Sequence, residues 1–408
     1  CSPETEELVD EISSKAGLKH TQCDHGVVHR TNGIDVYELI NNYIDKHRIL
    51  QENLLNKVAI DITGGKKSMV SGSCLAANYL GIDLLYINNN GYEDLIPGNE
   101  EPMILQDPLV TFGESDFKKA IIKFNSEDFE QATEVFRDIK ERVTKPRKYE
   151  VFEDLSIGYA HLESMRFNEA SQHLEKAVQW AEKLDLPEIP VKEIKLQIQA
   201  MQPLLDLYNY GDRKKLSDDT IYWHLYAYLF EMIHHNKGNK KFDIAAMLTY
   251  RCLEMTVQRL LLKHNIFSAN ASFSHLDEKA LVEKYNNLAK DVFPNYRPVY
   301  FFPNKLTLMM GLIILKALEE PIVSGINLNQ INELIILRNK SRLVHGFQLL
   351  DEQSVESFYG RVLGLTKFYW NNEKHKLGKT ESFADFSNKF AFVNLTIVAN
   401  KKEVVNQA

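Results

Sequence analysis

A strand, a glycine-containing loop and a helix follow one another without a break between residues 58 and 81. The apolar run from Val58 to Ile62 predicts a short buried strand, and the loop Thr63-Gly64-Gly65-Lys66-Lys67-Ser68-Met69 leads from it into the small-residue stretch SGSCLAANYLG. A second apolar run, residues 82–90, predicts the next strand. Because strands joined through a helix run parallel, this order predicts a doubly wound α/β sheet for the N-terminal part.

Two helices are expected before this sheet. Ser2-Pro3-Glu4-Thr5 followed by EELVDEISSKAGL is typical of a capped helix start, and residues 34–47 have apolar side chains at helical spacing. The chain begins at Cys1 without a methionine, and its first residues are typical of the turn after a strand. We therefore expect an N-terminal piece to precede the numbered chain.

The TGGKKS loop has the features of an anion-binding turn. Its two glycines let backbone N–H groups approach a ligand closely, the helix N-terminus favours negative charge, and Lys67 adds a cation. The loop lacks both the G-x-x-x-x-G-K-[ST] pattern and the G-x-G-x-x-G pattern. A plain glycine turn with two solvated lysines is the alternative interpretation.

The pattern changes to helices throughout at about residue 113. Asp128-Phe129-Glu130-Gln131-Ala132 and Arg166-Phe167-Asn168-Glu169-Ala170 share an aromatic-x-x-alanine core thirty-eight residues apart, and each copy lies between two predicted helices. This resembles a pair of tetratricopeptide-like hairpins. Simple helical packing without a peptide-binding role is the interpretation that we favour.

Residues from about 216 onward predict an α-helical bundle that contains the most chemically suggestive stretch, ELIILRNKSRLVHGF, residues 333–347. On a continuous helix, steps of three, four and seven residues from Arg338 reach Ser341, Arg342 and His345, and Gly346 then stands where the helix can close. A guanidinium can hold anionic oxygens and an imidazole can move a proton near neutral pH, which suits chemistry on a phosphodiester. A surface helix that ends in a structural histidine is about as consistent with this pattern alone.

The net charge and the cysteine content exclude several classes of protein. The net charge is −8 and the pI about 6.0, whereas a protein that coats duplex nucleic acid by charge is usually basic, so any nucleic-acid site is a local pocket. Cys1, Cys23, Cys74 and Cys252 form no C-x-x-C pair, which predicts reduced, cytoplasmic thiols and neither a zinc site nor a disulfide framework. We find no signal peptide and no apolar run long enough to cross a membrane.

Two short motifs resemble known families. Asp61-x-Thr63-x-x-x-Lys67 resembles the ligand loop of CARF domains, the Rossmann-like sensors of CRISPR systems, and in particular that of the type III accessory proteins. The resemblance implies a cyclic oligoadenylate activator, a cyclic tetra- or hexa-adenylate, bound across the two-fold interface of a homodimer. The residues that it places against this ligand are Thr63, Gly64, Gly65 and Lys67, with Ser2 and Thr5 on the opposite wall. It also implies that the CARF domain slowly cleaves its own activator, with Thr63 as the residue involved.

Arg338 and His345, with six residues between them, resemble the R-x(4–6)-H signature of HEPN ribonucleases. The resemblance assigns proton transfer to His345 and stabilisation of the transition-state charge to Arg338, while Asn339 orients groups in the cleft. Arg342 lies too close to His345 in sequence to take the signature role, so we regard it as a phosphate contact.

Together these observations predict α/β plus all-α architecture: a Rossmann-like CARF domain in residues 1–112, a helical, tetratricopeptide-like region in 113–215 and an α-helical HEPN domain in 216–408. The resemblance implies a cytoplasmic homodimer that cleaves single-stranded RNA without a metal or other cofactor, leaves 2′,3′-cyclic phosphate ends, and acts in antiviral defence. The alternative is a non-catalytic cyclic-nucleotide sensor that regulates a partner through its helical region.

Overall fold

The structure, a computed structural model, describes residues 3–19, 25–28, 33–47, 49, 57–89, 100–105, 113–341 and 346–397. It divides into two units, one made of Cys1–Lys119 and Val135–Tyr149 and the other of Ala120–Glu134 and Glu150–Ala408. Among the described residues, no helix has both the length and the apolar character that crossing a bilayer requires.

The first unit contains a small sheet with helices. A 3-10 helix, Pro3–Leu8, precedes the elements α1 Val9–Lys15, α2 Gly33–Lys46, β1 Ala59–Asp61, α3 Lys67–Leu80, β2 Asp83–Asn89 and β3 Glu100–Leu105. Strands β1 and β2 are parallel, with Ala59 opposite Asp83, so the predicted strand–loop–helix–strand order is confirmed. Ile44, Ile49 and Ile82 form the buried centre of this unit.

The direction of the third strand differs from the prediction. β3 pairs with β2 in the antiparallel direction, with Leu84 opposite Leu105, and the strand order is β1-β2-β3. The prediction of a wholly parallel, doubly wound sheet is therefore wrong at β3. The physical reason is that β3 returns along β2 without a crossover helix in the described chain, and pairing of that kind is antiparallel.

A close contact between glycines sets how α2 lies on α3. A side chain at Gly72 of α3 would meet the backbone of Gly33, whose carbonyl oxygen lies 2.6 Å from the position that a Cβ would take. The small residues of α3 therefore serve backbone-to-backbone packing and fix the helix that begins at the TGGKKS loop.

The middle of the chain is helical, as predicted. Its helices are α4 Glu114–Asn125, α5 Phe129–Arg142, α6 Arg147–Glu163, α7 Phe167–Leu184 and α8 Val191–Met201. The two copies of the aromatic-x-x-alanine core begin α5 and α7, and Phe129, Ala132, Phe167 and Ala170 are all buried. Each copy is preceded by a left-handed turn residue, Glu127 at φ 62° and Met165 at φ 59°, so the sequence repeat is also a structural repeat.

The C-terminal part is an all-α bundle. Its helices are α9 Asp212–Ser217, α10 Asp219–Gly238, α11 Phe242–Lys263, α12 Glu278–Ala289, α13 Leu308–Ala317, α14 Leu328–Lys340, α15 Glu352–Glu373 and α16 Phe383–Ser387. Aromatic rings fill its centre; the Trp223 and Trp370 rings lie 5.0 Å apart and both side chains are fully buried. Buried Arg259 donates to the Tyr369 hydroxyl at 2.9 Å and to the Leu216 carbonyl at 2.7 Å, which ties three helical segments together.

A buried histidine joins this bundle to the helical hairpins. His235 of α10 has only 4% of its side chain exposed, and its Nδ1 lies 2.5 Å from a Glu127 carboxylate oxygen while its Nε2 lies 3.2 Å from Glu163. Burial disfavours the charged ring, but the hydrogen bonds and negative charges of the two glutamates outweigh it and raise the pKa of His235 to about 9. At neutral pH the protonated imidazole therefore donates to both carboxylates. We call His235, Glu127 and Glu163 the histidine clasp.

The clasp makes stability depend on pH. Because the pKa of His235 rises from 6.5 unfolded to about 9 folded, its contribution is complete below pH 6.5 and is lost as pH rises through about 9. We expect His235→Ala to lower the free energy of unfolding by about 3 kcal/mol at pH 6.5 and by much less at pH 10. Thermal unfolding of wild type and variant across this range measures the difference.

His275→Ala is the matched control, since His275 is exposed and only contacts the His264 carbonyl. Its effect on the melting temperature should be small at every pH. A constant difference between wild type and His235→Ala from pH 6.5 to pH 10 would contradict the proton linkage.

Candidate functional site

Helix α14 carries Arg338 to the edge of the bundle. The helix begins at Asn327, whose side chain accepts the Gln330 N–H at 3.2 Å. Ile331, Leu334 and Ile335 form its buried face, and Arg338 lies one turn further along the same face. The apolar run predicted from the sequence therefore anchors the helix and presents the guanidinium at its C-terminal end.

Two contacts orient Arg338. Its guanidinium carbon lies 4.0 Å from the centre of the Tyr250 ring on α11, and its Nη1 donates to the side-chain oxygen of Asn339 at 2.9 Å. Burial, assisted by nearby Glu254, raises the pKa of Tyr250, so the arginine stacks on a neutral ring. Asn339, predicted from the sequence to orient groups in the cleft, thus contacts Arg338 directly.

One donor of Arg338 is unused. Its Nε is buried and has no hydrogen-bond partner among the residues that the structure describes. Buried polar atoms are nearly always paired, and an unpaired donor on a permanent cation is suited to an anionic oxygen that arrives with a substrate.

The helix ends earlier than the sequence predicts. Lys340 is the last residue of α14, and Ser341 has extended backbone angles (φ −60°, ψ 142°). The prediction that Ser341 continues a helical stripe from Arg338 is therefore wrong. Its hydroxyl donates to the Asp243 carboxylate at 2.5 Å, and this bond between buried groups draws the chain out of the helix towards α11. Arg342 and His345 lie outside the described residues.

Gly346 fixes the return of the chain. Its N–H donates to the Ser341 carbonyl at 3.1 Å, and the Gln348 N–H donates to the Lys340 carbonyl at 3.0 Å. A Cβ at Gly346 would overlap the Lys340 carbonyl oxygen, so only glycine fits here. Instead of closing a helix, Gly346 passes against the end of one.

The sequence analysis did not identify Asp243 or Tyr250 as part of this site, and it did not predict the packing of Gly346 against Lys340. Asp243 and Tyr250 are seven residues apart on α11, on the face that receives the end of α14. Helical spacing alone could pair these two positions. Their partner near residue 340 is about a hundred residues away in sequence, and no local signal identifies it.

The TGGKKS loop is braced by its own threonine. The Thr63 N–H and hydroxyl both donate to the Asp61 carboxylate, at 2.9 and 2.6 Å, and the hydroxyl accepts the Ile87 N–H at 2.8 Å. The Thr63 side chain therefore ties the end of β1 to β2 and uses its hydrogen-bonding capacity within the sheet.

The rest of the loop is open. Gly64, Gly65 and Lys67 are exposed, and α3 begins at Lys67 without a side-chain cap. A Cβ at Gly64 would meet nothing within 4 Å. The first N–H groups of α3 and the Lys67 ammonium are thus available to an anion.

The opposite wall predicted for this loop is only partly described. Ser2 lies outside the described residues. Thr5 belongs to the 3-10 helix Pro3–Leu8, and its side chain is not described. Among the described residues no group of three or more His, Cys, Asp or Glu side chains is arranged to hold a metal ion.

Two family models match the helical parts of the chain. Residues 112–205, which contain the hairpins, match the Csm6 6H domain, and residues 217–369, which contain α14 and Arg338, match the Csm6 HEPN domain. Together the two models match more than half of the chain.

A relative and a solved structure agree with these matches. The CRISPR system endoribonuclease Csm6 of Thermus thermophilus is 25% identical over 342 residues, which cover 79% of this chain and 71% of the relative. The structure of Enterococcus italicus Csm6 bound to cyclic hexa-2′-fluoro-hexa-dAMP is similar in fold, with a TM-score of 0.52 at 12% identity, over 94% of this chain and 87% of that one. With the 6H and HEPN matches adjoining along one sequence, the chain belongs to the Csm6 family.

Proposed function

We propose that this protein is a HEPN endoribonuclease of type III CRISPR antiviral defence that cuts single-stranded RNA when a cyclic oligoadenylate binds its CARF domain. The observation that carries the proposal is Arg338, a guanidinium stacked on Tyr250 with a buried, unused Nε among the described residues, inside the Csm6 HEPN match. The Thermus relative is named an endoribonuclease, and the Enterococcus protein was solved with a cyclic hexanucleotide analogue.

The reaction that suits these groups is transfer of the phosphodiester to the neighbouring ribose oxygen. The 2′-OH loses its proton and attacks phosphorus, the bond to the 5′-oxygen breaks, and that oxygen takes up a proton. The products are a 2′,3′-cyclic phosphate and a 5′-OH. Arg338 stabilises the charge on the phosphorane-like transition state, and His345 transfers protons. DNA lacks the attacking 2′-OH, so the mechanism is specific for RNA.

Each copy in a homodimer contributes one Arg338–His345 set. With two imidazoles at one cleft, one can accept the 2′-OH proton while the other protonates the leaving oxygen. Asn339 keeps Arg338 in position through its 2.9 Å hydrogen bond, and Arg342 contacts a phosphate. No step in this scheme requires a metal ion.

The activator, a cyclic tetra- or hexa-adenylate, binds the TGGKKS loop. Backbone N–H groups at Gly64, Gly65 and the start of α3 contact its phosphates, and Lys67 supplies the cation. Ser2 and Thr5 contribute from the other wall. Slow cleavage of the activator requires the Thr63 hydroxyl to leave its bonds with Asp61 and Ile87.

Replacing either member of the signature should stop RNA cleavage. We expect Arg338→Ala and His345→Ala each to lower kcat at least about 100-fold, because each removes a group that acts in the transition state. A fluorescent RNA reporter with saturating activator measures the rate, and calorimetry measures whether activator binding persists. Addition of EDTA should leave the wild-type rate unchanged.

Arg251→Ala is the control for Arg338→Ala, since it also removes one arginine. Arg251 lies on α11 like Tyr250 but is exposed and paired with Glu254 at 2.6 Å. This variant should cleave at the wild-type rate. Undiminished cleavage by His345→Ala would contradict the site assignment, and bound activator without any cleavage by wild type would favour a non-catalytic sensor.

The close approach at Gly346 predicts a catalytic defect from one added methyl group. Gly346→Ala cannot keep the Lys340 contact, so the segment that carries His345 must shift and kcat should fall about 100-fold. Circular dichroism should show unchanged helix content. Gly360→Ala, at an exposed helical position with open space for a Cβ, should retain full activity, and equal activity of the two variants would contradict the proposed role of Gly346.

Removal of the loop cation should affect activation without affecting the cleavage site. Lys67→Ala should raise the activator concentration for half-maximal activity about tenfold, since one charge-assisted contact to phosphate is lost. Lys67→Arg, which keeps the charge, should stay near wild type. A titration of RNA cleavage against cyclic tetra- and hexa-adenylate measures both, and an unaltered midpoint in Lys67→Ala would contradict the loop assignment.

A further inference from the structure

Two neighbouring aromatic side chains project from the loop between α12 and α13. Tyr300 is 89% exposed and Phe301 is 72% exposed. Between residues 248 and 335, all of which the structure describes, they are the only exposed large hydrophobic side chains. They are thus an isolated pair along the chain, whereas stable protein interfaces need roughly 800 Å² on each partner.

The loop is held on its N-terminal side by Asn286 of α12. The Asn286 side chain donates to the Val299 carbonyl at 3.0 Å and accepts the Val299 N–H at 3.0 Å, and it also accepts the Tyr296 hydroxyl. This three-bond contact fixes the residue directly before Tyr300.

The C-terminal side is held by burial and by backbone bonds. Phe302 is buried against Phe273 and Tyr285, with ring centres 4.6 and 5.3 Å away. The Ala271 N–H donates to the Asn304 carbonyl at 2.7 Å, and the Leu306 N–H donates to the Ser268 carbonyl at 2.9 Å. Tyr300 and Phe301 are therefore held out in solvent by a rigid frame, so a ligand that stacks on them has little backbone left to order.

The stretch of sequence that contains the pair is positively charged in an otherwise acidic protein. Residues 292–318 contain no Asp or Glu, whereas the whole chain has a net charge of −8. Arg297 and Lys305, both exposed, flank the two rings within this stretch. Aromatic faces between cations are the features by which proteins hold single-stranded nucleic acid, because every base can stack and every nucleotide carries a phosphate.

We propose that Tyr300, Phe301, Arg297 and Lys305 form a second RNA-binding surface, outside the cleavage site, on which bases of the single-stranded substrate stack. We call it the aromatic platform. The proposal rests on the RNA cleavage proposed above and adds where a long substrate is held. The platform holds a long RNA on the protein and takes no part in the chemical step.

The test compares long and short substrates. In the double variant Tyr300→Ala/Phe301→Ala, KM for an unstructured 20-nucleotide RNA should rise about tenfold or more while kcat is unchanged, since base stacking of this kind contributes roughly that much per base. Cleavage of a dinucleotide, whose two nucleotides both flank the scissile bond and leave no further base to stack, should be unaffected. Tyr300→Trp/Phe301→Trp keeps two stacking rings and should restore the wild-type KM.

The cations give an independent measurement. Arg297→Ala and Lys305→Ala should each lower the slope of log affinity against log salt concentration by about 0.7 for the 20-nucleotide RNA, measured by anisotropy in the His345→Ala background. Tyr208→Ala, which removes a 68% exposed ring elsewhere, should change neither KM nor affinity.

These experiments distinguish a failure of the platform proposal from a failure of the proposed function. A wild type that cleaves RNA, together with a double variant of unchanged KM on the long substrate, overturns the platform alone. A change in sedimentation mass of the double variant identifies the pair as a contact between protein copies and also overturns the platform. A wild type that cleaves no RNA with activator overturns the proposed function and the platform with it.

Discussion

Protonated His235 forms a charged link between the HEPN bundle and the helical hairpins, alongside the neutral bond from the Tyr228 hydroxyl to the Leu162 carbonyl. Glu127 supplies one carboxylate from a turn with left-handed backbone, φ 62°, a conformation that costs a non-glycine residue about 1–2 kcal/mol. The bond to the imidazolium opposes this strain, and the equivalent turn at Met165 lies two residues after Glu163, the second carboxylate of the clasp. The neighbouring His234 has the opposite character: burial lowers its pKa, and its Nε2 pairs with the Tyr359 hydroxyl at 2.8 Å. Adjacent histidines thus connect α10 to the hairpins on one side and to α15 on the other.

Two of the helices named above, α11 and α15, also border Arg338, the proposed catalytic arginine. Ser354, Val355 and Phe358 of α15 line one small cavity together with Leu334 and Arg338, so the helix that His234 contacts borders the cavity that Arg338 lines. On the other side, Asp243 and Tyr250 belong to α11. Arg338 therefore lies where α11, α14 and α15 come together. The bonds of His235 to Glu127 and of His234 to Tyr359 connect the hairpin turn to α15, and allosteric control of the proposed cleavage site requires a connection of this kind.

Sequence patterns predicted those parts of the structure whose contacts join residues close together in the chain. The strand–loop–helix unit at residues 58–81 and the hairpin repeats are determined by neighbours within one or two turns, and both were predicted. The antiparallel strand β3 was not predicted, for two reasons. Its sequence begins with two glutamates and contains Pro102, which gives a weak strand signal. Its partner β2 already had a predicted parallel neighbour, so no further strand was expected beside it. The end of α14 was mispredicted for a related reason. Arg-Asn-Lys-Ser is compatible with a helix, and the group that ends it, Asp243, lies 98 residues from Ser341 in sequence.

The two functional regions are therefore fixed by different kinds of bonds, and this sets how each can respond. In the TGGKKS loop, Asp61, Thr63 and Ile87 bond within one sheet, so its shape exists before any ligand arrives and recognition falls to the backbone and Lys67. At the proposed cleavage site, the Asp243–Ser341 bond joins segments 98 residues apart in sequence, and the Gly346 contact holds the chain against the end of α14. The geometry of a site assembled from distant segments depends on how the helices that carry those segments pack, whereas the bonds of the loop lie within one sheet. The arrangement thus suits a preformed receptor for the proposed activator and a proposed cleavage site whose geometry depends on helix packing.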